Sequence, residues 1–177
     1  MTLCKKMKTS LTDIADEFRH WLANDLVKAE PILKKHPELI NHPVYGQSES
    51  ALHYFAVENR IDVVTWLLAR GADPNGIKSG GFPLHESAQL GNTEMCRILL
   101  TAGANPDTPD SLGETALHKA SSHAYLEIIE LLLGSGADPA IPEMCGELPI
   151  DQSPPRKRAK VQAVFDRYPS TNQKKEA

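Results

Sequence analysis

The sequence predicts an all-α solenoid of stacked helix–turn–helix units with short protruding turns or hairpins, and three observations carry that prediction. Gly71-Ala72-Asp73-Pro74-Asn75 returns as Gly103-Ala104-Asn105-Pro106-Asp107 and as Gly136-Ala137-Asp138-Pro139-Ala140, at steps of 32 and 33 residues. A second block keeps the same steps: Ser50-Ala51-Leu52-His53, Phe82-Pro83-Leu84-His85 and Thr115-Ala116-Leu117-His118. After each histidine, apolar residues recur at helical spacing: Val63, Val64, Leu67 and Leu68, then Met95, Cys96, Leu99 and Leu100, then Ile128, Ile129, Leu132 and Leu133. A unit this small cannot bury its apolar face alone, so neighbours must stack into an open array. The functional question therefore moves from which reaction to which partner.

Residues 1–10 read as a flexible N-terminal segment, and 11–45 as a capping helix pair or degenerate repeat. Leu11 to Ala23 can form a helix with Leu11, Ile14, Phe18, Trp21 and Leu22 inward. Asn24-Asp25 starts a second helix holding Leu26, Ala29, Ile32 and Leu33, which Pro31 should kink or shorten. His36 to Asn41 takes the place of the Gly-Ala-Asp-Pro-Asn turn.

Three full units follow, at 46–78, 79–111 and 112–144. In the third, Gly113 suits a turn, Thr115 can cap a helix over Ala116 to Ser122, and Tyr125 to Leu133 make the second helix. Gly134, Ser135 and Gly136 end it. The second unit has Phe82 at the cap position and one residue fewer between Asn75 and His85, so its cap is lost and its finger is shorter. The first unit has Ser48 at the turn glycine and a bulky Phe55 where small residues stand elsewhere. Residues 145–168 read as a truncated C-terminal cap, in which Asp151 replaces the histidine. Pro154-Pro155 cuts its first helix short and Arg156 to Tyr168 supply its second, with a disordered tail at 169–177.

Composition fits a thin core. Aromatics make up 6% of residues and hydrophobics 41%, which suits Leu, Ile, Val and Ala between small helices. No apolar run approaches the ~20 residues that span a bilayer, and the basic stretch Met1 to Lys8 is not followed by the apolar segment of a signal peptide. Cys4, Cys96 and Cys145 are odd in number and lack ligand spacing, so reduced thiols and a cytoplasmic location are expected. Cys96 aligns with Val64 and Ile129 and reads as a small core hydrophobe. Residues 10–153 hold 9 Lys and Arg against 21 Asp and Glu, whereas both ends are basic. An acidic body disfavours nucleic acid and favours basic partners, although such a surface also serves solubility alone.

The turn, the Leu-His block, the paired helices and the closing Gly-Ala-Asp together resemble the ankyrin repeat family over roughly Leu11 to Tyr168. The resemblance implies that His53, His85 and His118 link neighbouring turns by hydrogen bonds. As positions one repeat apart, they lack the geometry of a metal site. There is no nucleophile elbow, phosphate-cradling glycine loop or zinc-protease pair; Gly80-Gly81 is a lone turn signal. No catalytic residue, cofactor or metal ligand is assigned.

In this family partners lie along the turns and first helices, on the concave side. The resemblance carries that role to Gln47, Glu49, Val57 and Glu58 in the first unit, and to Lys78, Ser79, Gln89 and Leu90 in the second. It carries the role to Ser111, Leu112, Glu114, Ser122 and His123 in the third, with Met144, Cys145 and Glu147 extending the row. These positions differ between units while the scaffold positions repeat. The expected function is a monomeric, non-enzymatic protein-binding module that scaffolds, masks or inhibits a partner with a basic segment. The run Arg156, Lys157, Arg158 and Lys160 is a candidate nuclear-import signal and also fits a solvated cap. It motivates the alternative of a nuclear regulator, or of a secreted effector acting in a host cell. A small-molecule or catalytic accessory subunit is the remaining alternative.

Overall fold

The computed structural model describes residues 10–45, 49–76 and 82–168. Expectations placed on 1–9, Cys4, Gln47, Ser48, Lys78, Ser79, Gly80-Gly81 and 169–177 lie outside the described residues.

Helix pairs follow one another along the chain. The N-terminal pair is α1 (Leu11–Asn24) and α2 (Leu26–Lys35), closed by a 3-10 turn at Pro37–Ile40. Strands β1 (Pro43–Tyr45) and β2 (Glu49–Ser50) then form an antiparallel finger. The repeated units are α3 (Ala51–Val57) with α4 (Ile61–Leu68), α5 (Pro83–Gln89) with α6 (Thr93–Thr101), and α7 (Ala116–His123) with α8 (Leu126–Gly134). Helix α9 (Arg158–Phe165) ends the array. First helices pack in series, α3 on α5 on α7, and second helices continue α6 on α8 on α9. This is the all-α stack that the period predicts.

Local chemistry sets the helix ends. Ser10 and Asp13 close a capping box on α1, and Asp25 caps α2 through the Val27 N–H at 3.0 Å. Ser50 caps α3 through the His53 N–H at 3.3 Å. Phe82 offers no oxygen, so α5 lacks a side-chain cap and starts on Pro83, whose fixed φ suits a first helical turn. Helix α2 holds Ile32 and Leu33 as expected and runs on to Lys35, so Pro31 does not cut it short. Leu11 is 42% exposed rather than inward, because α1 turns Ala15, Phe18 and Leu22 to the core instead. The last helix starts at Arg158, not Arg156, since the turns after Pro154 extend to Lys157.

One continuous core runs through the stack, built from Phe18, Leu22, Leu39, Leu52, Phe55, Leu67, Leu84, Met95, Leu99, Leu117, Ile129 and Leu132 among others. Phe55 is accepted into it at 2% exposure. Cys96 is fully buried, and burial pushes its thiol up to about 12, so it packs as an apolar residue.

The Gly-Ala-Asp-Pro-Asn turns are bolted to one another. Asn41 Oδ1 accepts the Asp73 N–H at 2.9 Å, Asn75 Oδ1 the Asn105 N–H at 2.8 Å, and Asp107 Oδ1 the Asp138 N–H at 2.8 Å. Asn75 also donates to the Gly103 carbonyl at 3.1 Å. The ladder stops at Ala140, whose side chain has no acceptor to offer. Asn75→Ala is expected to lower the unfolding free energy by ~1–2 kcal/mol, since two inter-unit bonds disappear. Ala140→Asn, above which no turn waits, should leave stability unchanged; denaturant titration of both variants checks the pair.

Candidate partner-binding surface

Two fingers project from the third unit and the C-terminal cap. In the first, Asp110 Oδ1 accepts the N–H groups of Leu112 (2.8 Å) and Glu114 (2.9 Å), while the Asp110 N–H donates to the Glu114 carbonyl at 2.8 Å. In the second, Glu143 Oε1 accepts the N–H groups of Cys145 (2.9 Å) and Glu147 (3.0 Å), and the Glu143 N–H donates to the Glu147 carbonyl at 2.9 Å. Those N–H groups hold the Glu143 carboxyl below its usual range. The fingers join where the Met144 N–H donates to the Leu112 carbonyl at 3.1 Å. Gly113 makes that approach possible: its φ is +79°, and a Cβ there would lie 3.0 Å from the Met144 nitrogen.

The histidines fasten fingers to first helices. His85 Nε2 lies 3.0 Å from the Glu114 carbonyl and His118 Nε2 lies 3.3 Å from the Glu147 carbonyl. The Thr115 N–H donates to His118 Nδ1 at 3.1 Å, so Nδ1 is unprotonated and Nε2 carries the hydrogen given to Glu147. The imidazole thereby closes the capping box of α7 with Thr115. Asp151 does the same in the last unit by accepting the Leu148 N–H at 3.1 Å, which explains why an aspartate can stand at the histidine position. Burial pushes both His85 and His118 below the ordinary imidazole range.

Lys119, one residue past His118, reaches back to Asp110 Oδ2 at 2.9 Å and to Glu114 Oε2. All three side chains are largely covered, at 16, 7 and 18% exposure. Burial opposes the charge on Asp110, yet Lys119 and the two loop N–H groups prevail and hold its carboxyl below the usual range. Burial likewise works against charge on Lys119, but its two carboxylates prevail and raise it. Glu114 therefore belongs to an internal ion cluster at the finger's root.

The residues assigned by resemblance fall into two groups. Ser111, Leu112, Met144, Cys145 and Glu147 are exposed at or beside the finger tips, with Glu49 half-buried in β2. Val57, Gln89 and Ser122 share one register position at the far ends of the first helices, and Glu58, Leu90 and His123 share the next. The length of a first helix, about 12 Å for eight residues, separates the groups. At the far end the His123 ring stacks on Tyr125 (centroids 5.3 Å apart, planes 9° apart). Tyr125 in turn lies against Gly91, where a Cβ would meet the ring at 3.0 Å. Between the groups runs a register that the resemblance did not assign: Tyr54, Glu86, Lys119 and Gln152, all half-buried. Their position one past the histidine, or past Asp151 in the last unit, was a usable signal.

Arg156, Lys157, Arg158 and Lys160 are exposed at the start of α9. Cations there oppose the helix dipole. Arg158 relieves part of this by folding back to donate to the carbonyls of Asp151 and, at 3.4 Å, Ser153. On the side of the second helices, α4 and α6 leave an open groove of about 410 Å³ lined by Leu68, Ala69, Ile98 and Ala102, whose charged residues Glu94 and Arg97 bond to each other at 3.2 Å. Among the described residues no cluster of His, Cys, Asp or Glu is arranged to hold a metal ion, and no helix is long and apolar enough to cross a membrane.

Stacked helix pairs with bolted turns and ordered fingers define a class of repeat solenoid built to present a surface. The chain belongs to the ankyrin repeat family: the family described as ankyrin repeats (3 copies) matches residues 52–142. It is similar to the ankyrin repeat and LEM domain-containing protein 1 homolog of Caenorhabditis elegans, 40% identical over 81 residues, covering 42% of this chain and 12% of that protein. It is similar to the probable E3 ubiquitin-protein ligase XBOS33 of Oryza sativa subsp. japonica, 34% identical over 96 residues, covering 52% of this chain and 18% of that protein. It is also similar to cyclin-dependent kinase inhibitor 2A of Monodelphis domestica, 40% identical over 55 residues, covering 31% of this chain and 32% of that protein. The chain thus spans a third or less of the length of each of these relatives. Ankyrin repeats generally mediate protein–protein interaction, and the repeat fold itself is non-catalytic.

Proposed function

We propose that this chain is a non-enzymatic module that binds a partner protein along its fingers and first helices, and that it acts by scaffolding, masking or inhibiting that partner. The observation that supports this reading most is the contrast within the fingers. Their backbone is held by carboxylates, ring nitrogens and a finger-to-finger bond, while Leu112 and Met144 stay 57 and 74% exposed. A surface ordered before binding loses little conformational entropy on association. Leu90, 51% exposed, and His123 add contact area at the far end of the same face.

Affinity capture from a native lysate, followed by mass spectrometry, tests it. A variant with Gln89, Leu90, Leu112, His123 and Met144 all changed to Ser is expected to retain its helical circular dichroism and to lose partners at least ten-fold. Capture of every wild-type partner by that variant would sink the reading.

A further inference from the structure

Resting on that reading, we infer that the paired finger tips around Leu112 and Met144 form the anchor site of the surface, and that its occupant is a basic polypeptide segment carrying one large apolar side chain. Three carboxylates of these fingers are engaged at the loops themselves. Asp110 and Glu143 each accept two loop N–H groups, and Glu114 is taken up by Lys119. Beside the exposed Ser111 and Glu147, the tips present Leu112, Met144 and the thiol-bearing Cys145 to solvent.

The two tips are one feature rather than two. The Met144 N–H donates to the Leu112 carbonyl at 3.1 Å, and Gly113 leaves no side chain between them. Leu112 and Met144 therefore hold a fixed relative position, and the unbranched, polarisable Met144 side chain can mould itself to an inserted aliphatic or aromatic group. A single inserted side chain fits a patch of this size, as in interfaces where a few central anchors carry most of the affinity.

Charge selects what surrounds that anchor. Residues 107–115 and 140–148 carry Asp107, Asp110, Glu114, Glu143 and Glu147 and no Lys or Arg. The nearby cation, Lys119, answers only Asp110 and Glu114. The carboxylates of Glu143 and Glu147 beside the apolar pair form no ion pair among the described residues, and Glu143 is held in its charged form by the loop N–H groups. Lys or Arg flanking the anchor would meet them, speeding encounter and fixing register. An acidic segment would be repelled.

The test is selection of peptides from a random-sequence display library on the immobilised full chain. Enriched peptides are expected to share Lys or Arg on both sides of one Leu, Met or Phe. Their retention should fall at least ten-fold on L112S/M144S and also when salt is raised from low to molar concentration. Enrichment of acidic or anchor-free peptides, retention unmoved by L112S/M144S, or no enrichment over bare support would each overturn the inference. Self-association of the chain in sedimentation, lost in L112S/M144S, would also overturn it by assigning the patch to a second copy. If L112S/M144S keeps its lysate partners while the five-residue variant loses them, the binding function stands and only the tip assignment falls.

Discussion

Leu132→Ala is expected to lower the unfolding free energy by ~2–5 kcal/mol, the range for removing a fully buried leucine side chain. Leu132 is 0% exposed in α8, a helix that packs against α6, α7 and α9, so the cavity opens inside the stack. In a linear array each unit contacts only its neighbours, and the loss of amide-exchange protection should be greatest across α6 to α9. Leu112→Ala provides the contrast. It removes the same atoms from a side chain that is 57% exposed, and its effect should stay within about 0.5 kcal/mol. Equal destabilisation by the two changes in denaturant titrations would contradict the packing described.

His118→Ala is expected to cost ~2–3 kcal/mol and to weaken the protein's acid sensitivity. The substitution removes the ring that closes the α7 capping box and that bonds the Glu147 carbonyl of the next finger. The pH dependence follows from the direction of the shifts. Burial lowers both His85 and His118 below the reference value of 6.5, so between the folded and unfolded values the unfolded chain binds more protons. Their contribution to stability is complete above about 6.5 and is lost as pH falls through and below that value. Protonation of His118 also turns Nδ1 from an acceptor into a donor facing the Thr115 N–H. Unfolding free energy measured from pH 8 to pH 4 should therefore fall toward acid in the wild type, and less steeply in His118→Ala. Parallel profiles would show that the ring is not the sensor.

The period was readable because a stack repeats its constraints. Gly71, Gly103 and Gly136 all hold positive φ, and His53, His85 and His118 are all buried, so the same residue types return at the same step. The binding row was less readable. Glu114 looks like any exposed acid of a turn, and nothing local says that Lys119, five residues on, reaches back to it. The separation of Leu112 from Leu90 by a helix length was also hidden, because both lie in variable positions. Helix boundaries at the ends moved where local rules competed. Helix α2 ran on through Pro31 to Lys35, and α9 began late because the turns after Pro154 ran on to Lys157.

By itself, the sequence determined the solenoid, its stacked central units, the buried role of Cys96 and the linking place of His85 and His118. Each of these follows from a pattern that a single repeat must satisfy: apolar spacing, a positive-φ turn, a ring or carboxylate closing a helix start. Tertiary structure alone decided which surface groups are free. Asn75 bonds Asn105, His118 bonds Glu147, and Met144 bonds Leu112 only once consecutive units are stacked. The physical reason is that these bonds join residues about 30 positions apart, so whether a polar side chain faces solvent or its neighbour's backbone depends on the stacking geometry rather than on any local preference.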